Sequence, residues 1–195
     1  MVSESVFEAV RRGYSKLDNA MPETIVDYFS TIDSRELTGH INNIKGIVFE
    51  EHVVNALNEK GIHTIMFEQV NHPITDIAVI EYGDVITEFQ LKATDSMAYI
   101  SNTLEENPDV PIIVTSEVAQ NFDDCNMVID SGINNADLTD AVTETLYGSD
   151  TVSELVSDST EESLAELVTD TALPIPISPI GIGISIIGAF FGVFF

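Results

Sequence analysis

The chain has 195 residues, and its 33 acidic residues against seven Lys and Arg residues give a formal net charge of −26. The single cysteine, Cys125, excludes an intramolecular disulfide, and the four histidines show no zinc-ligand spacing, which argues against a structural zinc site. All seven bases lie in residues 1–92, whereas residues 93–195 contain 18 acids and no Lys or Arg. Such a surface repels the phosphate backbones that proteins usually hold with Lys and Arg.

The acidic charge has three explanations that the sequence leaves open. It is typical of proteins adapted to high salt, it is compatible with an acidic half that never faces nucleic acid, and it fits a protein that binds no nucleic acid.

The predicted elements begin with two helices in an N-terminal extension, residues 1–38, where apolar residues recur at helical spacing. A third helix is expected over residues 39–60, because Gly61 suits the end of a helix. Strands are predicted over residues 62–70, 76–80 and 85–92. The short turn between the last two strands predicts an antiparallel hairpin.

A further helix from Met97 is expected to be capped by Asp95 or Ser96, and residues 111–115 form a buried apolar strand. The predicted core, residues 39–135, therefore follows the order helix, three strands, helix, strand. Residues 126–134 give no clear pattern, and residues 136–172 are predicted to form acidic amphipathic helices or a linker.

The last segment, residues 173–195, is apolar, rich in glycine and free of charge. Its length approaches the roughly 20 apolar residues that a membrane helix needs. Gly188 and Gly192 form a GxxxG pair that lets helices approach closely, so the segment predicts membrane insertion or packing in a homo-oligomer. No secretory signal begins the chain, so we expect an intracellular protein, associated with a membrane through this tail.

The third predicted strand carries the candidate chemistry. Side chains alternate along a strand, so Glu88, Gln90 and Lys92 share one face. Asp76 begins the neighbouring strand and is expected to lie across the hairpin from them. Glu50 shares a helical stripe with apolar residues that should pack on the sheet, and a carboxylate in such a place needs a partner or a metal.

These residues resemble a known family. The run Lys45-Gly46-x-x-Phe49-Glu50, then Pro73-x-x-Asp76-Ile77, then Gln90-x-Lys92, is similar to the PD-(D/E)XK nuclease superfamily, which includes restriction-like endonucleases and Holliday junction resolvases. The resemblance covers residues 39 to about 118 and implies a restriction-endonuclease-like αβββαβ core with a mixed sheet.

The resemblance also implies roles. Asp76, Gln90 and Glu50 would hold Mg²⁺ or Mn²⁺, Lys92 would orient or activate the attacking water, and DNA or RNA would be the substrate. Magnesium takes oxygen ligands, which suits these side chains. An acid is commoner than glutamine at the position of Gln90, and Glu88 on the same face is a substitute ligand.

Two other functions compete with a metal-dependent nuclease, which could be membrane-tethered or act as an effector or toxin. The first is a catalytically inactive relative that serves as an interaction module or an acidic DNA mimic, favoured by Gln90 and the net charge. The second is a membrane-active protein that works through its C-terminal segment.

Overall fold

The structure, a computed structural model, describes residues 2–67 and 74–148. Its elements follow in the order α1 (Val2–Gly13), α2 (Pro22–Ser30), α3 (Ser34–Glu59), β1 (Thr64–Met66), β2 (Ile77–Glu81), β3 (Asp84–Lys92), α4 (Met97–Glu106), β4 (Ile112–Val114), α5 (Ser116–Ala119), β5 (Val128–Asp130) and α6 (Asn135–Tyr147). The chain is an α/β protein in which N-terminal helices precede a five-stranded mixed sheet with interspersed helices.

Two compact units make up the described chain. The first contains residues 2–49 and 136–148, and the second contains residues 50–67 and 74–135. The long helix α3 contributes residues to both units, whereas the whole sheet belongs to the second.

The first unit is built around the fully buried ring of Phe29 in α2. Four rings meet it edge to face at centroid distances of 5.3 to 6.1 Å, from Tyr14, Tyr28, His40 and Tyr147. Such edge-to-face pairs stabilise a core beyond the burial of area. The Tyr14 hydroxyl lies 2.6 Å from Nδ1 of His40, and burial raises the pKa of Tyr14 well above its usual range. We assign this unit a packing role.

The predicted helices are confirmed in α1, α2 and α6, but the start of the third helix was wrong. Helix α3 begins at Ser34, so residue 38, where the N-terminal extension was predicted to end, lies within it. The segment after Asp33 contains no proline, and Gly39 costs a helix only about 1 kcal/mol. Nothing therefore stops the helix from starting earlier.

The sheet of the second unit has the order β1-β2-β3-β4-β5. Strand β2 runs antiparallel to both β1 and β3, whereas β4 runs parallel to β3 and β5 runs parallel to β4. The predicted hairpin is confirmed. Tyr82 and Gly83 in its turn have φ angles of 51° and 94°, and positive values at both positions give the twist that a two-residue hairpin favours.

One face of the sheet is covered by the helices that follow β3. Ile100 of α4 and Val118 of α5 form a buried cluster with Ile112 and Val114 of β4. Parallel pairing sets Gln90 beside Ile112 and Lys92 beside Val114, and paired residues share a face. The candidate residues of β3 therefore lie on the face that carries this cluster.

The outer edge of β1 is occupied by a side chain from α3. The Asn58 amide donates a hydrogen bond to the Thr64 carbonyl at 2.9 Å, and its Oδ1 accepts one from the Thr64 N–H at 3.0 Å. Asn58 thereby takes the place that a neighbouring strand would have at Thr64.

Further sequence predictions have mixed outcomes. Ser96 caps α4, as one of the two expected candidates, and β4 confirms the predicted buried strand. Strand β1 ends at Met66, short of the predicted end at residue 70, and residues 68–73 lie outside the described chain. Residues 128–130, in a stretch without a prediction, form β5.

The predicted helix over residues 152–171 and the apolar segment, residues 173–195, lie outside the described residues. Within residues 2–67 and 74–148, no helix is long and apolar enough to span a bilayer.

Candidate active site

The candidate site lies where β2 begins beside the end of β3. Asp76 immediately precedes Ile77, which pairs with Phe89, so Asp76 and Gln90 are neighbours across the two strands. Lys92 follows two residues later on the same face as Gln90. The structure thus brings together three of the four residues for which catalytic roles were predicted.

The Asp76 carboxylate is held by the backbone of the opposite strand. Its Oδ2 accepts a hydrogen bond from the Leu91 N–H at 2.6 Å, and the Asp76 N–H donates to the Phe89 carbonyl at 2.9 Å. A short bond to a charged acceptor is a strong one. Asp76 therefore has a fixed orientation at the strand end.

The amide of Gln90 is the least satisfied group of the site. The residue is 9% exposed, and its side-chain Oε1 has no hydrogen-bond partner among the described residues. A buried polar atom without a partner costs about 1–3 kcal/mol, so natural proteins rarely leave one unless a water, an ion or a function accounts for it. The backbone N–H of Gln90 donates to the Pro111 carbonyl at 3.0 Å, which fixes the residue between β2 and β4.

The ammonium of Lys92 lies over an aromatic ring. Its Nζ is 5.5 Å from the centroid of the Tyr99 ring, within the range of a cation–π contact. Within residues 2–67 and 74–148, this ammonium forms no ion pair or hydrogen bond. Lys92 is half-buried, so its charge remains available at the edge of the site.

Glu88, the predicted substitute ligand, is engaged by a side chain. Its Oε2 accepts a hydrogen bond from the buried hydroxyl of Thr75 at 2.8 Å. Because Thr75 and Asp76 are adjacent, one short segment orients both carboxylates. Use of Glu88 as a ligand stays a prediction.

Glu50 lies half-buried on α3, at the start of the part that belongs to the second unit. Its place in the site stays a prediction.

The backbone that leads into β2 is strained. Ile74, two residues before Asp76, has a φ angle of 76°, which a β-branched residue rarely adopts. Strain of this kind costs on the order of 1–3 kcal/mol and is concentrated at functional sites. The segment that orients Asp76 and Glu88 is therefore held in a costly conformation.

The donor set fits a hard divalent cation. It combines a fixed carboxylate with a neutral amide oxygen that has no partner in residues 2–67 and 74–148, and oxygen atoms are the ligands that Mg²⁺ and Mn²⁺ prefer. Within the described ranges, no group of three or more His, Cys, Asp or Glu residues is placed to hold a metal. A cation here would consequently keep several of its waters, as Mg²⁺ usually does.

Sequence reasoning missed Tyr99, whose position over Lys92 depends on how α4 returns across the sheet. It also missed Asp130 of β5, on the same face as Lys92 through Val114. The Asp130 Oδ1 accepts hydrogen bonds from the Ser116 hydroxyl and the Gly132 N–H, both at 2.8 Å, so it holds the turn after β5. A carboxylate at the end of a short apolar run was the available signal.

Comparison with family models, with curated proteins and with solved structures found no significant match to this chain.

Proposed function

We propose that the protein is a divalent-metal-dependent phosphodiester hydrolase, a nuclease of the PD-(D/E)XK type. The observation that carries the proposal is the buried Oε1 of Gln90, which has no hydrogen-bond partner among the described residues, on the strand beside the fixed carboxylate of Asp76. An amide oxygen in this state is stabilised by a cation or a cation-bound water, and Lys92 supplies positive charge two residues away.

The arrangement of the strands supports the proposal. From α3 to β4 the elements follow in the order helix, three strands, helix, strand, and the first three strands are antiparallel while the fourth runs parallel to β3. This order matches the one that the sequence resemblance implies, and the position of Asp76, Gln90 and Lys92 at the open end of the hairpin supports the proposal.

Each residue has a distinct role in the proposed reaction. Asp76 and Gln90 would hold the cation, with Glu50 as a third oxygen ligand. When bound, Mg²⁺ or Mn²⁺ would offset charge on the scissile phosphate and lower the pKa of a coordinated water. The Lys92 ammonium would donate hydrogen bonds to the attacking water and to a phosphate oxygen, which stabilises the negative charge that develops there.

The experiment is a hydrolysis assay of the full chain on single-stranded DNA, duplex DNA and RNA, with Mg²⁺ or Mn²⁺ over a range of KCl concentrations. Removal of Lys92 should lower the rate about 100-fold or more, as loss of a preorganised charge-stabilising donor does. Lys92→Ala is compared with Lys60→Ala, a matched change at an exposed lysine directly after α3, which should retain wild-type activity. A Lys92→Ala variant as active as the wild type would rule out the proposed chemistry.

A non-catalytic interaction module is the second candidate, and one observation favours it. The Asp76 and Glu88 carboxylates already accept hydrogen bonds from protein groups, so each has a structural role without a metal. The described residues of the second unit contain two lysines, Lys60 and Lys92, and no arginine. A surface with so few positive charges suits a basic partner better than a polyanion. Titration with Mn²⁺ separates the two candidates, because the module would show no binding that depends on Gln90.

A further inference from the structure

Tyr99 lies in the first turn of α4, and its backbone is held by the cap of that helix. The helix begins at Met97, and the Ser96 hydroxyl caps it by accepting a hydrogen bond from the Tyr99 N–H at 3.3 Å. The link from β3 is tied down as well, because the Thr94 carbonyl accepts a hydrogen bond from the buried hydroxyl of Thr115. The backbone of Tyr99 is thereby fixed relative to the end of β3.

The ring of Tyr99 is anchored on its other side by the sheet. It packs, half-buried, against the cluster that includes Ile100 of α4 and Ile112 and Val114 of β4. Val114 is the register partner of Lys92, so the cluster that supports the ring lies directly beside the lysine. A ring held in this way has little freedom to move away from the ammonium.

Lysine needs such a partner if it is to act at a defined point. Its ammonium sits on a flexible four-carbon stem with about 2 kcal/mol of rotamer entropy, and in the described residues the Tyr99 ring is what the Lys92 ammonium contacts. The electron-rich face of an aromatic ring attracts the cation without neutralising its charge. The ammonium forms no hydrogen bond with the described residues, so its N–H donors remain available for a water and a phosphate oxygen.

We infer that Tyr99 is a positioning residue that holds the Lys92 ammonium at the mouth of the site by a cation–π contact. The catalytic part of this inference rests on the proposed nuclease function, whereas the contact itself does not. Tyr99→Phe keeps the ring and Tyr99→Leu removes it, so the pair separates the role of the ring from that of the hydroxyl.

The first measurement is independent of activity. The chain contains four lysines, so ¹³Cε-labelled lysine gives a spectrum of four signals, and Lys92→Arg assigns the one from Lys92. A ring above the side chain shifts the Lys92 Hε signals upfield. We expect this shift in the wild type and in Tyr99→Phe, and its loss in Tyr99→Leu; a wild-type spectrum without the shift would overturn the inference.

The second measurement is hydrolysis by the same proteins. Tyr99→Leu should lower kcat about three- to fivefold with little change in KM, the size expected for loss of one exposed cation–π contact, and Tyr99→Phe should restore most of the rate. If the wild type is active and Tyr99→Leu has the same kcat, the positioning role of Tyr99 is overturned and the nuclease proposal is not affected. A wild type that hydrolyses no substrate overturns the proposed nuclease, and the positioning of a catalytic lysine with it.

Discussion

The Asp76 carboxylate takes the place of a backbone acceptor, since its Oδ2 receives the Leu91 N–H at 2.6 Å where β2 has not yet begun. The Asp76 side chain therefore forms the last hydrogen bond between β2 and β3, and it also places a negative charge at the candidate site. The structural and functional contributions of Asp76 can be separated by substitution.

Replacement of Asp76 by asparagine keeps an oxygen that can accept the Leu91 N–H, whereas alanine removes it. We expect Asp76→Ala to lower the free energy of unfolding by about 1–3 kcal/mol, as loss of a hydrogen bond to a charged group does, and Asp76→Asn to lower it less. Both variants should lose hydrolysis, because neither supplies the anionic ligand. Urea unfolding and the nuclease assay measure the two effects, and an Asp76→Asn protein with wild-type activity would remove Asp76 from the metal site.

Replacement of Gln90 by leucine should stabilise the metal-free protein. The change removes a buried oxygen that has no partner in the described chain, so the free energy of unfolding should rise by about 1 kcal/mol. The same variant should lose the increase in Tm that Mn²⁺ causes in the wild type, because binding to the folded state alone is what raises Tm.

The control for this change is Gln120→Leu, which alters an exposed glutamine and should leave both stability and the Mn²⁺ effect within about 0.5 kcal/mol of the wild type. A Gln90→Leu protein that is less stable than the wild type and still responds to Mn²⁺ would show that the Gln90 oxygen is satisfied in another way.

Affinity for a long nucleic acid should increase with salt, in contrast to most nucleic-acid-binding proteins. The usual loss of affinity comes from release of counterions by Lys and Arg, and residues 93–195 contain neither. Repulsion between the acidic protein and the phosphates of the nucleic acid dominates instead. This repulsion weakens as the Debye length shortens from about 10 Å at 0.1 M salt to about 3 Å at 1 M.

The measurement for this prediction is the KM for a 20-nucleotide substrate across a KCl series, which should fall as KCl rises. A small phosphodiester with a single charge serves as the control, and its KM should change much less. A KM for the long substrate that rises steeply with KCl would reveal a cationic surface that the described residues do not show.

His52 on α3 should make stability depend on pH near neutrality. Burial lowers the pKa of His52 below its usual value, so the folded state disfavours the charged form. The unfolded chain then binds more protons as the pH falls through about 6.5, the ordinary histidine pKa, and the free energy of unfolding decreases until His52 in the folded protein is also protonated.

The corresponding experiment follows urea unfolding between pH 8 and pH 5.5 in the wild type and in His52→Gln. The decrease should be smaller in the variant, which has no proton to gain at this position. The exposed residue His63 provides the matched control, and a His63→Gln protein should retain the wild-type pH dependence. Equal slopes in the wild type and His52→Gln would assign the effect to other groups.

Local signals explain why part of the fold could be predicted from the sequence. The turn at Tyr82-Gly83, the alternation along β3 and the Ser96 cap each involve residues close in the chain, so their patterns indicate the structure directly. The same alternation predicts that the side chains of Gln90 and Lys92 lie on one face of the sheet.

Other features depend on contacts between distant segments. Strand β5 has three residues, and it is a strand because β4 lies beside it, which no local pattern indicates. The lack of a described partner for Gln90 Oε1 depends on how β2 and β4 enclose β3, and the position of Tyr99 depends on the return of α4. The sequence indicates which residues belong to the candidate site, but it does not indicate which of their polar atoms have hydrogen-bond partners.

The Asn58 amide affects whether two molecules of this protein can pair through the edge strand β1. In dilute buffer, mutual repulsion between highly negative copies keeps their strand edges apart, but concentrated electrolyte removes that protection. The two hydrogen bonds from Asn58 to Thr64 do not depend on long-range charge, and they leave an approaching molecule no backbone group to pair with at that position. A neutral side chain therefore blocks edge-to-edge pairing at Thr64, and high salt does not remove that block.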